Sequence, residues 1–192
     1  MKKSLSVLFI GNSHTFYNDM PFLVRRRAEE EGFDCRAVML AHGAWFLAQH
    51  AGEPEVRFNI LYGNFDYVVL QEYAQPFGPV GKFLDAAVAL SDLIRRGGSV
   101  PVIYETWARK DEPEKQPFMN ETHRMIAARI GALLAPVGEV WWEYQKSRPS
   151  AELYADDGGH ASPAGSDLAA KVLWETIRSN ITADPPRTAS DG

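Results

Sequence analysis

Short, continuous apolar runs alternate with amphipathic segments along most of the 192-residue chain. Within each run the side chains do not switch between polar and apolar, which is typical of strands buried on both faces of a parallel sheet. The predicted strands are residues 5–10, 37–40, 67–70, 100–104 and 137–142. Right-handed crossovers between them predict an α/β fold, a three-layer α/β/α sandwich around a five-stranded parallel flavodoxin-like sheet of order 2-1-3-4-5.

The segments between the runs carry apolar side chains at helical spacing and recognisable helix ends. Asn18 or Asp19 can cap a helix with Pro21 in its first turn, Gly97-Gly98 ends another, and Ser162-Pro163 begins the last. A further helix is predicted over 118–134. Residues 44–62 fit either a helix followed by a loop or one broken helix.

The alternation predicts a single domain over residues 1–182. Residues 183–192 contain prolines and almost no large apolar side chains, so they are predicted to form a disordered tail.

Composition excludes several classes of function. A net charge of −5 and a pI near 5.5 argue against a nucleic-acid partner. Without 18 consecutive apolar residues, no membrane span is expected. One cysteine, Cys35, rules out an internal disulfide and a cysteine-rich metal site, and it is expected to pack in the core. The N-terminal apolar run is too short for a signal peptide and belongs to the first strand, so a cytoplasmic protein is expected.

Two polar motifs near opposite ends of the chain carry the residues of serine-based acyl chemistry. Ser13 opens a small polar loop directly after the first predicted strand, where reactive groups of parallel sheets gather. Asp157 lies three residues before His160, just ahead of the last helix. A histidine can remove the serine proton, while a carboxylate fixes the histidine tautomer and stabilises the imidazolium.

These motifs resemble those of the SGNH (or GDSL) hydrolases. Gly11-Asn12-Ser13 is similar to the Gly-Asp-Ser block of that family, and Asp157-x-x-His160 is similar to its C-terminal block. A variant subgroup with a Gly-Asn-Ser opening, a Val-Val-Leu-Gln-Glu third block and an Asp-Asp-Gly-x-His ending is the most similar. The resemblance implies a serine esterase. The substrate expected from the sequence is a small or carbohydrate-borne acyl ester, and no metal or cofactor is expected. Ser13 would be the nucleophile, His160 the base and then acid, and Asp157 its orienting carboxylate.

The resemblance also implies an oxyanion hole of three donors. The amide of Ser13 is the first, and Gly43, beyond the second strand, matches the family's glycine. The family's asparagine is missing after the third strand, where Gln71 is the natural substitute and Gln75 the second candidate.

Other residues near these motifs have two readings. Asn12 is expected to brace its loop by hydrogen bonds. His14 either lines the pocket or is packed, and Glu72 either bonds within the site or caps the strand. His42 and His50 lack a third ligand at recognisable spacing, so zinc is not expected. Aromatic side chains on nearby loops form either a binding wall or a cover over the core: Trp45, Trp107, Tyr73 and Phe77.

Two other functions remain open from the sequence. A flavodoxin-like module could hold a phosphate on the backbone amides after Ser13, although Asp157 and His160 would then have no task. An SGNH fold could instead bind a glycan or ester without turning it over, as the altered third block suggests.

Overall fold

The computed structural model describes residues 3–183. Its five strands form one parallel sheet of order β2-β1-β3-β4-β5, which confirms the predicted α/β fold and strand order. The strands are β1 (Lys3–Gly11), β2 (Phe33–Ala41), β3 (Tyr67–Leu70), β4 (Val100–Tyr104) and β5 (Leu133–Ala135).

Eight α-helices and two short 3₁₀ turns connect these strands within the described range. The helices are α1 (Ser13–Phe16), α2 (Met20–Glu30), α3 (Leu47–Ala51), α4 (Pro54–Tyr62), α5 (Val80–Arg96), α6 (Gln116–Ile130), α7 (Val137–Ser147) and α8 (Pro163–Ala183); the turns are Tyr17–Asp19 and Pro113–Lys115. Residues 44–62 therefore contain two short helices, which is the broken-helix alternative. Ser162 caps α8 as expected, its Oγ accepting from the Gly165 amide at 3.1 Å. The predicted tail lies outside the described residues except for Ala183, which ends α8.

The fifth strand was predicted at the wrong place. Residues 137–142 belong to helix α7, and Leu133–Ala135, expected at the end of a helix, is the strand. Helix α6 ends at Ile130, four residues earlier than predicted, because Gly131 adopts a φ of +60°. The buried Val137 and Trp141 lie four residues apart on one face of α7. A short apolar run cannot by itself distinguish a buried strand from a buried helix face.

Helices cover both faces of the sheet. Alternate side chains of β1 enter different cores: Leu5, Val7 and Phe9 pack with α2, α7 and α8, while Leu8 and Ile10 pack with α3, α4, α5 and α6. Cys35 is buried in the first core, as expected. Within residues 3–183, no helix is both long and apolar enough to cross a membrane.

Candidate active site

Ser13 begins helix α1 directly beyond the carboxyl end of β1, which lies between β2 and β3 in the sheet. Asn12 caps this helix, because its Oδ1 accepts a hydrogen bond from the His14 amide at 3.1 Å. The Asn12 side chain also donates to the Trp45 carbonyl at 2.9 Å. It therefore braces the loop, as expected, and ties it to the loop that contains Gly43.

The 157–160 turn, which precedes α8, carries the other two predicted residues. Gly158 has φ of +67°, a conformation that disfavours side chains with a Cβ. The Asp157 Oδ1 accepts from the amides of Gly159 and His160, at 2.8 and 2.9 Å. This carboxylate therefore organises the turn that holds it.

The fold brings Ser13, His160 and Asp157 into one hydrogen-bonded chain. His160 Nε2 lies 2.8 Å from Ser13 Oγ, although 147 residues separate the two in sequence. The other ring nitrogen, Nδ1, lies 2.5 Å from Asp157 Oδ2. In this geometry Nδ1–H donates to the carboxylate and Nε2 is free to accept the serine proton.

The surroundings favour an ionised Asp157 next to an oriented imidazole. Partial burial opposes the charged form of Asp157, but hydrogen bonds from the His160 ring and from the Gly159 and His160 amides outweigh it and lower the pKa of this carboxyl. The Tyr17 ring stacks on His160 with centroids 4.1 Å apart and an interplanar angle of 8°. This contact restricts rotation of the imidazole.

His14 is buried beside this site. Its ring lies 5.2 Å from the His160 ring and 5.1 Å from the Trp107 ring. Burial, followed by the proximity of His160, lowers the pKa of His14 to about 3. The side chain is therefore a neutral, packed imidazole that also forms part of the pocket wall.

A pocket of about 730 Å³ opens above Ser13. Its lining combines aromatic and charged side chains with small residues: Ser13, His14, Phe16, Tyr17, Gly43, Ala44, Tyr73, Gln75, Pro76, Arg109, Glu112, Lys115, Asp157 and His160. Of the four aromatic residues expected near Ser13, Tyr73 lines the pocket, and Trp107 is fully buried under it. Tyr17 and Arg109 were not predicted. Tyr17 follows Ser13 by one helical turn, a spacing that could have indicated it.

Two backbone amides of pocket-lining residues donate to no acceptor among residues 3–183. Ser13 and Gly43 both line the pocket, and neither amide donates a hydrogen bond within the described part of the chain. The loop of Gly43 is fixed to the serine loop, because the His42 amide donates to the Gly11 carbonyl at 3.1 Å. This arrangement resembles two fixed donors of an oxyanion hole.

The Gln71 side chain does not reach the pocket, contrary to expectation. It is fully buried, its amide nitrogen donates to the Glu72 carbonyl, and its Oε1 accepts from the Asn12 amide (2.8 Å) and the Thr15 hydroxyl (2.9 Å). Gln71 therefore supports the serine loop from below. Gln75 lines the pocket instead, and its amide nitrogen donates long hydrogen bonds to the carbonyls of Gly159 (3.3 Å) and Trp107 (3.4 Å).

The remaining polar candidates have structural partners. His50 Nε2 lies 2.8 Å from the Gly11 carbonyl, and His42 lies 3.6 Å from Glu55. Glu72 accepts from the amides of Leu47 and Tyr73, and its burial raises its pKa to about 7. Within residues 3–183, no cluster of three metal-ligating side chains is present.

A protein of similar structure decides the family. A candidate SGNH hydrolase from Slackia heliotrinireducens is 30% identical, with a TM-score of 0.78 over 91% of this chain and 100% of its own. The chain belongs to the SGNH hydrolases. More distant structures share the fold of this SGNH protein. An acetyl-xylooligosaccharide esterase from Geobacillus is 14% identical, with a TM-score of 0.69 over 92% of this chain and 95% of its own.

Another similar fold is that of the esterase EstA from Pseudoalteromonas, which is 12% identical, with a TM-score of 0.69 over 92% of this chain and 98% of its own. Neither a family model nor a curated protein matches the chain.

Proposed function

We propose that this SGNH protein is a serine ester hydrolase in which Ser13, His160 and Asp157 form the catalytic triad. The observation that supports this most strongly is the unbroken hydrogen-bonded chain from Ser13 Oγ through the His160 ring to the Asp157 carboxylate, at the base of an open pocket. A phosphate-binding module has no use for that chain, and the Asp157 carboxylate would repel an anion beside it.

The triad carries out two successive acyl transfers. Ser13 Oγ attacks the ester carbonyl carbon while His160 Nε2 accepts the hydroxyl proton, and the carbonyl π electrons move onto oxygen. When this intermediate collapses, the alcohol leaves with the proton from His160, and Ser13 remains acylated. Water then attacks the acyl-serine with His160 as the base, and the acid is released.

The oxyanion is stabilised by the amides of Ser13 and Gly43. We assign the third donor to Gln75, because it lines the pocket and its amide nitrogen can exchange one of two long hydrogen bonds, of 3.3 and 3.4 Å, for a bond to the oxyanion. Gln71 acts on the same intermediate indirectly, by holding the serine loop in place.

The pocket suits a small acyl group on a carbohydrate better than a long lipid chain. Phe16, Tyr17 and Tyr73 supply apolar area for sugar rings, while Glu112 and Lys115 supply hydrogen-bonding groups. Acetylated xylo-oligosaccharides are therefore expected to be hydrolysed with a higher kcat/KM than p-nitrophenyl palmitate. A preference for the palmitate would contradict the assignment of the alcohol but not that of the triad.

Labelling with a fluorophosphonate tests the nucleophile directly. The reagent should attach to Ser13 in the wild-type protein but not label Ser13→Ala. Ser150→Ala is the control, because it removes an exposed serine far from Ser13 in the sequence and should still be labelled at Ser13. Mass spectrometry of the digested protein identifies the modified residue. Labelling of another serine, or none at all together with no hydrolysis of p-nitrophenyl acetate, would refute the proposal and favour a protein that binds without catalysis.

A further inference from the structure

Three successive carbonyl groups of the 157–160 turn accept hydrogen bonds from one short segment, residues 107–110. The Arg109 guanidinium donates to the Asp157 carbonyl at 2.9 Å. The Lys110 amide donates to the Gly158 carbonyl at 2.9 Å, and Trp107 Nε1 donates to the Gly159 carbonyl at 2.8 Å. The turn is thus held along its whole backbone by a segment about 50 residues earlier in the chain.

Segment 107–110 is itself anchored in the protein core. Trp107 is fully buried and stacks on Trp141 of α7, with ring centroids 3.9 Å apart and an interplanar angle of 6°. The Ala108 amide donates to Gln116 at 2.6 Å, and its carbonyl accepts from the Tyr154 hydroxyl at 2.8 Å. The segment can therefore serve as a fixed reference for the exposed turn.

The Arg109 side chain is fitted to this turn. The guanidinium and the Gln75 side chain pack together over Gly159, where an added Cβ would lie 3.0 Å from Arg109 Nη1 and closer still to Gln75 Oε1. Arg109 Nε also donates to Asp111 at 3.2 Å, which fixes the orientation of the guanidinium plane. Asp157, by contrast, has 48% of its side chain exposed and little packing of its own.

We infer that Arg109 is a positioning residue for the catalytic turn, holding Asp157 and His160 at the distances that proton transfer needs. This inference rests on the proposed triad and adds a residue that positions it. Displacements of about 1 Å at a reacting group can lower a rate by about 10²-fold. A charge-assisted bond to the backbone of Asp157 restricts such movement, and Arg109 makes it without entering the reaction.

Comparing Arg109→Ala with Lys110→Ala tests the inference on neighbouring cations. Both variants remove one exposed positive charge, but Lys110 contacts the turn through its backbone amide, which the substitution keeps. Arg109→Ala should lower kcat for p-nitrophenyl acetate by about 10- to 100-fold with KM changed less than about two-fold. Lys110→Ala should behave like the wild type. A higher KM at constant kcat would instead make Arg109 a substrate contact and overturn the inference, as would equal kcat values.

A second measurement does not depend on activity. The proton between His160 Nδ1 and Asp157 should give a far-downfield NMR signal in the wild type and in Lys110→Ala, and a broadened or missing one in Arg109→Ala. Arg109→Lys keeps one cationic donor without the planar guanidinium and should restore part of the signal. If the wild type shows the signal but hydrolyses no ester, the proposed function fails while the positioning role stands. An unchanged signal in Arg109→Ala would refute the positioning role alone.

Discussion

The hydroxyl of Ser13 is positioned by side chains that never enter the pocket. Gln71 accepts hydrogen bonds from the Asn12 amide and the Thr15 hydroxyl, and His50 bonds the Gly11 carbonyl on the other side. Buried polar groups of this kind are costly to leave unpaired, so each has a strong effect on the local backbone. The position of the nucleophile therefore depends on polar contacts below the loop as much as on the strand that precedes it.

The three residues of the proposed triad should not be equally sensitive to substitution. Ser13→Ala and His160→Ala each remove a group that forms or transfers a bond, so kcat should fall by several orders of magnitude. Asp157→Asn should reduce kcat less, since this residue orients the imidazole and stabilises its charge. Purified variants assayed on p-nitrophenyl acetate give the ranking. Full activity in Ser13→Ala would show that the nucleophile is misassigned.

Alanine substitutions of Gln71 and Gln75 should have different effects on stability and on kcat. Gln71→Ala leaves the Asn12 amide and the Thr15 hydroxyl without their buried partner, so the free energy of unfolding should fall by about 1–3 kcal/mol. Gln75→Ala should leave stability nearly unchanged and lower kcat by about 10²-fold, the usual cost of one oxyanion donor. Urea unfolding and kinetics on both variants separate the roles. A stable Gln71→Ala protein with a large loss in kcat would return the donor role to Gln71.

Helix α8 fixes the position of the 157–160 turn because it packs tightly against the segment that leads into the turn. A Cβ at Gly165, in the first turn of α8, would collide with the Leu153 carbonyl and the Trp141 ring. Trp141 in turn stacks on Trp107, which binds the turn. The first turn of α8, the centre of α7 and segment 107–110 thus form one packed unit around the proposed catalytic histidine.

Two glycine substitutions test this packing. Gly165→Ala should lower the free energy of unfolding by about 1–3 kcal/mol, because the added methyl overpacks the contact with α7. Among residues 3–183, a methyl added to Gly81 in the first turn of α5 would extend into open space, so Gly81→Ala should be neutral or stabilising by up to about 1 kcal/mol. Urea unfolding compares them. Equal stability of the two variants would mean that α8 moves freely at its first turn.

The molecule as a whole buries several ionisable groups, and these make its stability depend on pH. Burial lowers the pKa of His14 to about 3 and that of His123 to about 4, from 6.5 in the unfolded chain. The unfolded state therefore binds more protons below pH 6.5, and these histidines reduce stability as the pH falls. Burial raises the pKa values of Glu72 and Glu105 to about 7, so their contribution is lost as the pH rises from 4.5 through 7.

His14→Leu isolates one of these contributions. The variant should gain stability relative to the wild type as the pH falls from about 6.5 towards 3, with a difference in slope on the order of 1.4 kcal/mol per pH unit. Urea unfolding of both proteins at a series of pH values measures the difference. Parallel stability curves would show that His14 titrates normally in the folded state.

The sequence alone was enough to predict the α/β class, the strand order and four of the five strands. It also predicted that Ser13, Asp157 and His160 meet at one edge of the sheet. Strands buried on both faces are recognisable as continuous apolar runs. Because parallel strands bring their carboxyl ends together, the residues that follow these runs are expected to lie near one another. The two motifs, one with Ser13 and one with Asp157 and His160, were recognised from their residue types. The helix start at Ser162 placed the second motif just before the last helix.

Tertiary structure decided what local patterns do not record. Apolar residues 137–142 fit a strand or a helix face equally well, and the end of α6 at Gly131 assigned the strand to Leu133–Ala135. Gln71 and Gln75 both follow β3. In the structure the Gln71 side chain is buried against the serine loop, whereas Gln75 lines the pocket. Arg109 meets the turn of His160 only because the segment after β4 packs against the turn before α8. Such contacts depend on docking between distant segments, which the periodicity of a sequence does not encode.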